Sequence, residues 1–176
     1  MKTFRQFLES ASTAGNYVSI KASDPGDVWK EMGIQPPKSG ETPPNGDYHV
    51  TLMYSEKSNE NIDRITGVLK NSGVDREYEF PVDSAECFDA DDASKSCIVL
   101  KLDAPILHHI HEHLKGFGLT HSYPTFEPHL TLRYNMDIEE AHKYKDLINT
   151  SLETGNWKKL IELNGMKSET LNKNYV

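Results

Sequence analysis

Apolar and polar positions along the chain alternate with two periods, one suited to strands and one to helices. From Asn16 to Ala22 the period is two, with Val18 and Ile20 on one face and Tyr17, Ser19 and Lys21 on the other, which predicts a half-buried strand. Ser23-Asp24-Pro25 predicts a helix start, with Val28, Trp29 and Met32 as its apolar side and Gly33 near its end. Pro36 to Gly46 is loop by composition. Strands are expected over 48–55, 77–87, 96–103, 129–135 and 157–166, and helices over 59–71, 106–115 and 137–151. Residues 89–92 form an acidic turn, and 121–128 a loop carrying Tyr123, Pro124 and Phe126. Residues 1–15 hold a short amphipathic piece, read as a fraying N-terminal helix or a tail.

The resulting order is β-α-β-α-β, twice over. Each half contains one copy of a local signature, Asp-Tyr-His-Val-Thr-Leu-Met-Tyr at 47–54 and Glu-Pro-His-Leu-Thr-Leu-Arg-Tyr at 127–134, separated by 80 residues (49 to 129). Two copies at so long a spacing do not make a solenoid. They predict a mixed α/β (α+β) fold in a single domain over 1–176, with two similar lobes facing a central groove.

Composition narrows the choice of function. A chain of 176 residues buries a real core, and no stretch approaches the roughly 20 apolar residues of a membrane span. The opening Met1-Lys2-Thr3-Phe4-Arg5-Gln6 lacks a secretory apolar region, so the expected compartment is the cytoplasm. Cys87 and Cys97 have neither metal-ligand spacing nor the look of a disulfide framework, and are read as reduced thiols. A net charge of −8 argues against a duplex nucleic-acid binder, but not against a short nucleotide held by a few local cations.

The chemistry is carried by the repeated signature. In a strand, residues i and i+2 share a face, so His49 projects with Thr51, and His129 with Thr131, while Val50, Leu52, Leu130 and Leu132 pack the other way. Two imidazoles and two hydroxyls converging on one ligand suit a phosphodiester. A histidine pair supplies one neutral and one protonated ring near neutral pH, and the threonine hydroxyls can hold nonbridging oxygens. No carboxylate set for two metal ions accompanies the histidines, so no metal or cofactor is expected. An internal nucleophile, the 2′-hydroxyl of an RNA-like linkage, replaces metal-activated water. Which histidine is base and which is acid is left open by near-symmetric repeats.

Strand parity nominates further groove residues. Tyr17 is a candidate base platform, Arg133 a candidate phosphate clamp, Glu162 a candidate acceptor from a base amino group, and Trp157 a second candidate platform. Tyr17, Arg133 and Trp157 each have a structural alternative: a half-exposed tyrosine, a surface arginine, a core tryptophan. Tyr123 and Phe126 are candidates for a lid. Tyr54 and Tyr134 have the parity opposite to the histidines and read as packing residues unless the strands bulge. His109 to His113 fits the inverted zinc-peptidase pattern His-x-x-Glu-His, but no third ligand is marked, and a solvated helix face is the preferred reading.

His49-Val50-Thr51-Leu52 and His129-Leu130-Thr131-Leu132 resemble the paired motifs of the two-histidine phosphoesterase superfamily. Within it, the Asn16–Ile20 strand and the Asp47-Tyr48-His49 and Glu127-Pro128-His129 segments look most like the phage anti-CBASS proteins. The resemblance implies a bilobal fold of two pseudo-symmetric antiparallel-sheet lobes with outer helices. It also implies metal-independent cleavage of 3′–5′ linkages in cyclic di- and trinucleotide immune signals, by a monomer in the bacterial host cytoplasm. The alternatives are a phosphodiesterase acting on RNA 2′,3′-cyclic ends or on an ADP-ribose cyclic phosphate, and a sponge that binds cyclic nucleotide without cleaving it.

Overall fold

The computed structural model describes residues 15–55, 61–74, 76–121 and 123–171. Its elements are β1 (Gly15–Ala22), α1 (Val28–Glu31), β2 (His49–Ser55), α2 (Ile62–Leu69), β3 (Tyr78–Asp89), β4 (Lys95–Leu102), α3 (Pro105–Gly116), β5 (His129–Asp137), α4 (Ile138–Glu153) and β6 (Leu160–Leu171). The order matches the expected double β-α-β-α-β. The expected N-terminal helix or tail lies outside the described residues, apart from Gly15, which opens β1.

Boundaries moved where a side chain or a backbone hydrogen bond overrides periodicity. The first helix starts at Asp27, whose carboxylate accepts from the Lys30 amide at 3.0 Å, rather than at Ser23. The second ends at Leu69 and unwinds through a wide turn in which Gly73 takes φ 81°. β6 begins at Leu160, beyond Trp157.

The six strands close into one antiparallel sheet in the order β1-β2-β5-β4-β3-β6. It is built of two three-stranded lobes, β2-β1-β6 and β5-β4-β3, whose middle strands are β1 and β4. The third strand of each sequence half sits in the opposite lobe: β3 pairs with β4, and β6 with β1. This exchange interlocks the halves. One seam, β3 with β6, runs from Tyr78↔Leu163 to Pro81↔Leu160. The other, β2 with β5, is the single pair Val50↔Leu130.

One continuous core lies between the sheet and its helices. Val18, Ile20, Val50, Leu52, Ile98, Leu100 and Leu130 supply the sheet side, all fully buried. α2 packs on β6, α3 on β2, and α4 on β3, β4 and β5. α3 buries Leu107, Ile110, His111 and Leu114, the spacing of one helix stripe. β1 departs from the expected half-burial. Being the middle strand of its lobe, it is buried on both faces, including Asn16, Tyr17 and Ser19.

The loop before β2 crosses to the other lobe. Glu41 and Tyr134 exchange backbone hydrogen bonds of 2.9 and 2.8 Å, and the Glu140 carboxylate accepts from the amides of Lys38 and Ser39. Gly40 makes this approach possible. It has φ 80°, and a Cβ there would stand 2.5 Å from Met136 Cγ and 2.6 Å from the Tyr134 carbonyl oxygen. Gly40→Ala is therefore expected to lower stability by about 1–3 kcal/mol, read as a reduced urea midpoint; an unchanged midpoint would mean that the loop does not anchor there.

Candidate active site

The site forms where β2 and β5 meet. Because the strands are antiparallel and register only at Val50↔Leu130, His49 lies across the seam from Thr131, and Thr51 across from His129. His49, Thr51, His129 and Thr131 line one small cleft of about 30 Å³, together with Phe88, Cys97 and Tyr134. The structure thus brings together all four residues of the two His-x-Thr pairs.

Each strand bulges one residue after its threonine. β1–β2 pairing steps from Ser19↔Thr51 to Val18↔Met53, leaving Leu52 extra, and β4–β5 steps from Val99↔Thr131 to Ile98↔Arg133, leaving Leu132 extra. The bulge resets the alternation. It turns Tyr134 into the cleft and Tyr54 into an adjoining cavity, so neither is simply a packing residue on the helix side. The same reset removes Arg133 from the groove. Its partner across the ladder is the buried Ile98, and its guanidinium donates from Nε to the Ser39 carbonyl and from Nη2 to the Gly40 carbonyl, both at 2.9 Å. Arg133 holds the crossing loop and is not placed to clamp phosphate.

Both imidazoles are oriented in the same way. His49 Nδ1 lies 3.0 Å from the Asp47 carbonyl oxygen, and His129 Nδ1 2.7 Å from that of Glu127. A carbonyl only accepts, so Nδ1 carries the hydrogen and Nε2 is the titrating atom. An aromatic edge flanks each ring: Tyr17 at 6.0 Å from His49, and Phe88 at 4.9 Å from His129. Burial lowers the pKa of both rings, and the charge of His49 further disfavours a proton on His129. The threonines are held by phenols. The Tyr17 hydroxyl is 2.9 Å from Thr51 Oγ1, and the Tyr134 hydroxyl bonds Thr131. Burial raises the pKa of both phenols, so they stay protonated.

Three of the remaining expectations are corrected by the structure. Tyr17 reaches the site, but as a buried support beneath Thr51 rather than an open base platform. Trp157 is a core residue whose Nε1 donates to the Glu31 carboxylate at 3.0 Å. Glu162 is exposed on β6, where its carboxylate accepts from Asn164; it lines neither cleft. Cys87 and Cys97 are free thiols, with Cys87 pushed up to about 11 by burial. Phe88 went unnoticed in the sequence because it falls one residue beyond the expected end of its strand. Lys101 was missed as well; it opposes His129 in register as Lys21 opposes His49, and pairs with Glu127 at 3.2 Å.

The histidine-rich helix supports the site from behind. His108, His109 and His113 are exposed, as a solvated face requires, but His111 is buried. Its Nδ1 donates to the carbonyl of the bulged Leu52 at 2.6 Å, while His121 Nδ1 accepts from the Tyr54 amide at 3.3 Å. These rings satisfy backbone groups of β2 beyond its single pair with β5. Among the described residues no group of three or more potential ligands is placed to hold a metal ion, and no helix is long and apolar enough to cross a membrane.

A closed antiparallel sheet with a His-x-Thr pair on each strand of the β2–β5 seam is the two-histidine phosphoesterase fold. The structure of Kluyveromyces marxianus Usb1 is similar at a TM-score of 0.59, with 12% identity, covering 88% of this chain and 93% of that one. Usb1 with uridine monophosphate is similar at 0.56, with 12% identity, covering 90% and 94%. At the level of sequence, the family model for Anti-CBASS protein Acb1 matches residues 14–163, a span that contains both motifs. Anti-CBASS protein Acb1 of Vibrio phage KVP40 is 32% identical over 131 residues, 74% of this chain and 77% of that protein. The protein of the same name from Acinetobacter phage Ac42 is 33% identical over 70 residues, 40% of this chain and 47% of that protein. The chain belongs to the anti-CBASS Acb1 family and is a phosphodiesterase of the two-histidine type.

The clasp of His111 and His121 carries a pH dependence. Burial, then the charges of His111 and Lys115, push His121 down to about 4 from an ordinary 6.5. As pH falls below 6.5 the unfolded chain takes up a proton that the folded chain refuses, so stability drops until about pH 4. His49, His111 and His129, also lowered, act in the same direction. The urea midpoint should decline across that window. The decline should be shallower in His121→Asn, whose side-chain oxygen can still accept from Tyr54; equal slopes in the two proteins would remove His121 from this role.

Proposed function

We propose that the chain cleaves 3′–5′ linkages of cyclic di- and trinucleotide immune signals without a metal ion, and so serves viral evasion of the bacterial CBASS defence. The observation that carries this reading is the antiparallel crossing at Val50↔Leu130, which sets two imidazoles and two threonine hydroxyls around one small cleft. Membership of the anti-CBASS family supports the biological setting.

In this mechanism the Nε2 of one histidine takes the proton of the ribose 2′-hydroxyl. O2′ then bonds to phosphorus while the P–O5′ bond breaks, and the second histidine donates its Nε2 proton to O5′. The ring opens to a linear product ending in a 2′,3′-cyclic phosphate; water then opens that ester with the roles of the histidines reversed. Burial and mutual repulsion disfavour two protonated rings, which suits a pair with one base and one acid. When the phenol is the donor in each hydroxyl pair, the threonine hydrogen is left to donate to a nonbridging phosphate oxygen. Lys101 and Lys167 supply local positive charge on an otherwise acidic chain.

Products of cyclic di- and trinucleotides are to be resolved by chromatography after incubation in EDTA. Cleavage should persist in the chelator and fall by about 10²–10⁴ in His49→Ala and in His129→Ala. Cleavage of a linear RNA bearing a 2′,3′-cyclic end with none of any cyclic oligonucleotide would assign the housekeeping substrate instead. Recovery of intact cyclic nucleotide after denaturation of the protein would indicate a sponge. Because both rings titrate below the ordinary histidine value in the free enzyme, kcat/KM should follow a bell with its maximum on the acid side of pH 6.5; a maximum above pH 8 would contradict the assignment.

A further inference from the structure

A cluster outside the cleft ties the end of β3 to β4 and to α4. The Asp89 carboxylate accepts from the hydroxyl of the buried Ser96 at 2.7 Å, and from His142 Nε2 at 3.0 and 3.1 Å. A carboxylate only accepts, so His142 Nε2 carries the hydrogen. Burial alone would raise the Asp89 carboxyl, but the hydrogen bonds from Ser96 and His142 bring it below the usual carboxylate range.

The clasp stands where the ladder is irregular. β4 and β5 pair as Ser96↔Met136 and then as Ile98↔Arg133, so Cys97 stands alone against Tyr134 and Asn135, and Asn135 takes φ 53°. On its other side Cys97 pairs with Phe88, and both line the cleft between the histidines. Phe88 and Asp89 are the last two residues of β3. Side chains alternate along a strand, so Phe88 turns to the cleft while Asp89 turns to α4. The Phe88 ring stands edge-on to His129, with centroids 4.9 Å apart. His129 is tied through Nδ1 to a single carbonyl, that of Glu127, and one such bond leaves an imidazole able to rock about it. An aromatic edge against the ring restrains that motion and fixes the direction of Nε2.

We propose that Asp89 is a positioning residue of the active site: clasped by Ser96 and His142, it fixes the end of β3 so that Phe88 stays edge-on to His129 and keeps water from that side of the ring. Asp89 touches no reacting atom and acts through Phe88. The proposal rests on the reading above in making His129 a catalytic ring, and its first test reads that ring in the absence of substrate.

The titration of His129 is to be followed through its imidazole Cε1 proton in the full chain, in the wild type and in Asp89→Ala, His142→Ala and His142→Gln. The groups that face this ring are His49 and Tyr54 from β2, Lys101 and Cys97 from β4, Tyr134 from β5, and Glu127, His121 and Tyr123 from the loop before β5. None of them is altered in these variants. Burial is the main cause that lowers the His129 pKa, so a loosened seal should move the titration up toward 6.5 in both alanine variants. Loss of the Asp89 charge by itself would move it down. His142→Gln should titrate as the wild type does, because its amide nitrogen can still donate to Asp89. For a cleaved cyclic dinucleotide, kcat/KM should fall about ten- to a hundredfold in Asp89→Ala, mainly in kcat. In a Phe88→Ala background the same substitution should cost less than twofold, as expected of a residue that acts through that ring. An unchanged or lowered titration in either alanine variant, a His142→Gln protein that behaves like His142→Ala, or additive losses for Asp89→Ala and Phe88→Ala would each overturn the proposal. If Asp89→Ala does not fold, the two His142 variants carry the comparison. A raised His129 titration with no cleavage of any cyclic oligonucleotide would keep the positioning role and remove the proposed reaction; cleavage with an unmoved titration would do the reverse.

Discussion

The pairing of Val50 with Leu130 is the contact on which the site depends. β2 and β5 register at this one position, and both residues are fully buried under the helices. Since the residue after each histidine is the one that pairs, the two His-x-Thr segments run past each other in opposite directions. Each histidine therefore meets the threonine of the other motif across the seam. A longer ladder would have zipped the strands together and closed the space above them; with no pair here the lobes would meet at the β3–β6 seam alone. The exchange of β3 and β6 between lobes holds the crossing in place, because neither sequence half can complete a three-stranded sheet from its own strands.

The bulges at Leu52 and Leu132 are the second device. β2 and β5 pair only once, and the protein satisfies the backbone groups beyond that pair differently on the two sides. On β2 the partners are the side chains of His111 and His121; on β5 the backbone of Glu41 answers Tyr134. In both cases the supporting segment comes from the loop that leads into the other motif or from the helix before it. Each loop is thus tied by hydrogen bonds to the strand segment that carries a bulge and a tyrosine. The two threonines show the same asymmetry, since Thr51 is held from β1 by Tyr17, while Thr131 is held by Tyr134 of its own strand. Pseudo-symmetry supplies two equivalent His-Thr pairs, and its local breaking distinguishes them.

Much of this was legible in the amino-acid sequence. The double β-α-β-α-β order, the core faces of β1 and β4, and both His-Thr pairs follow from periods of two and of 3.6 and from a signature repeated 80 residues on. Burial and side-chain periodicity are local quantities, and a strand keeps i and i+2 on one face whatever its neighbours do. For the same reason the inference stops at a bulge. Parity carried past Thr131 aims Arg133 at the ligand and Tyr134 at the core, and the structure reverses both because Leu132 is extra in the ladder. Trp157 fails differently. Nothing in its own segment says that it precedes the strand and lies in the core beside Glu31, 126 residues away.

What the sequence determined by itself is the chemistry: the residue types, their pairing on a strand face and their duplication. Which residues surround that chemistry was decided only by the tertiary structure. Register, bulges and loop crossings are properties of strand pairs, and the pairs join segments far apart in the chain. The aromatic cavity beside His129 is of this second kind, since its walls come from β2, from the end of β3 and from the loop before β5, and no local period connects them.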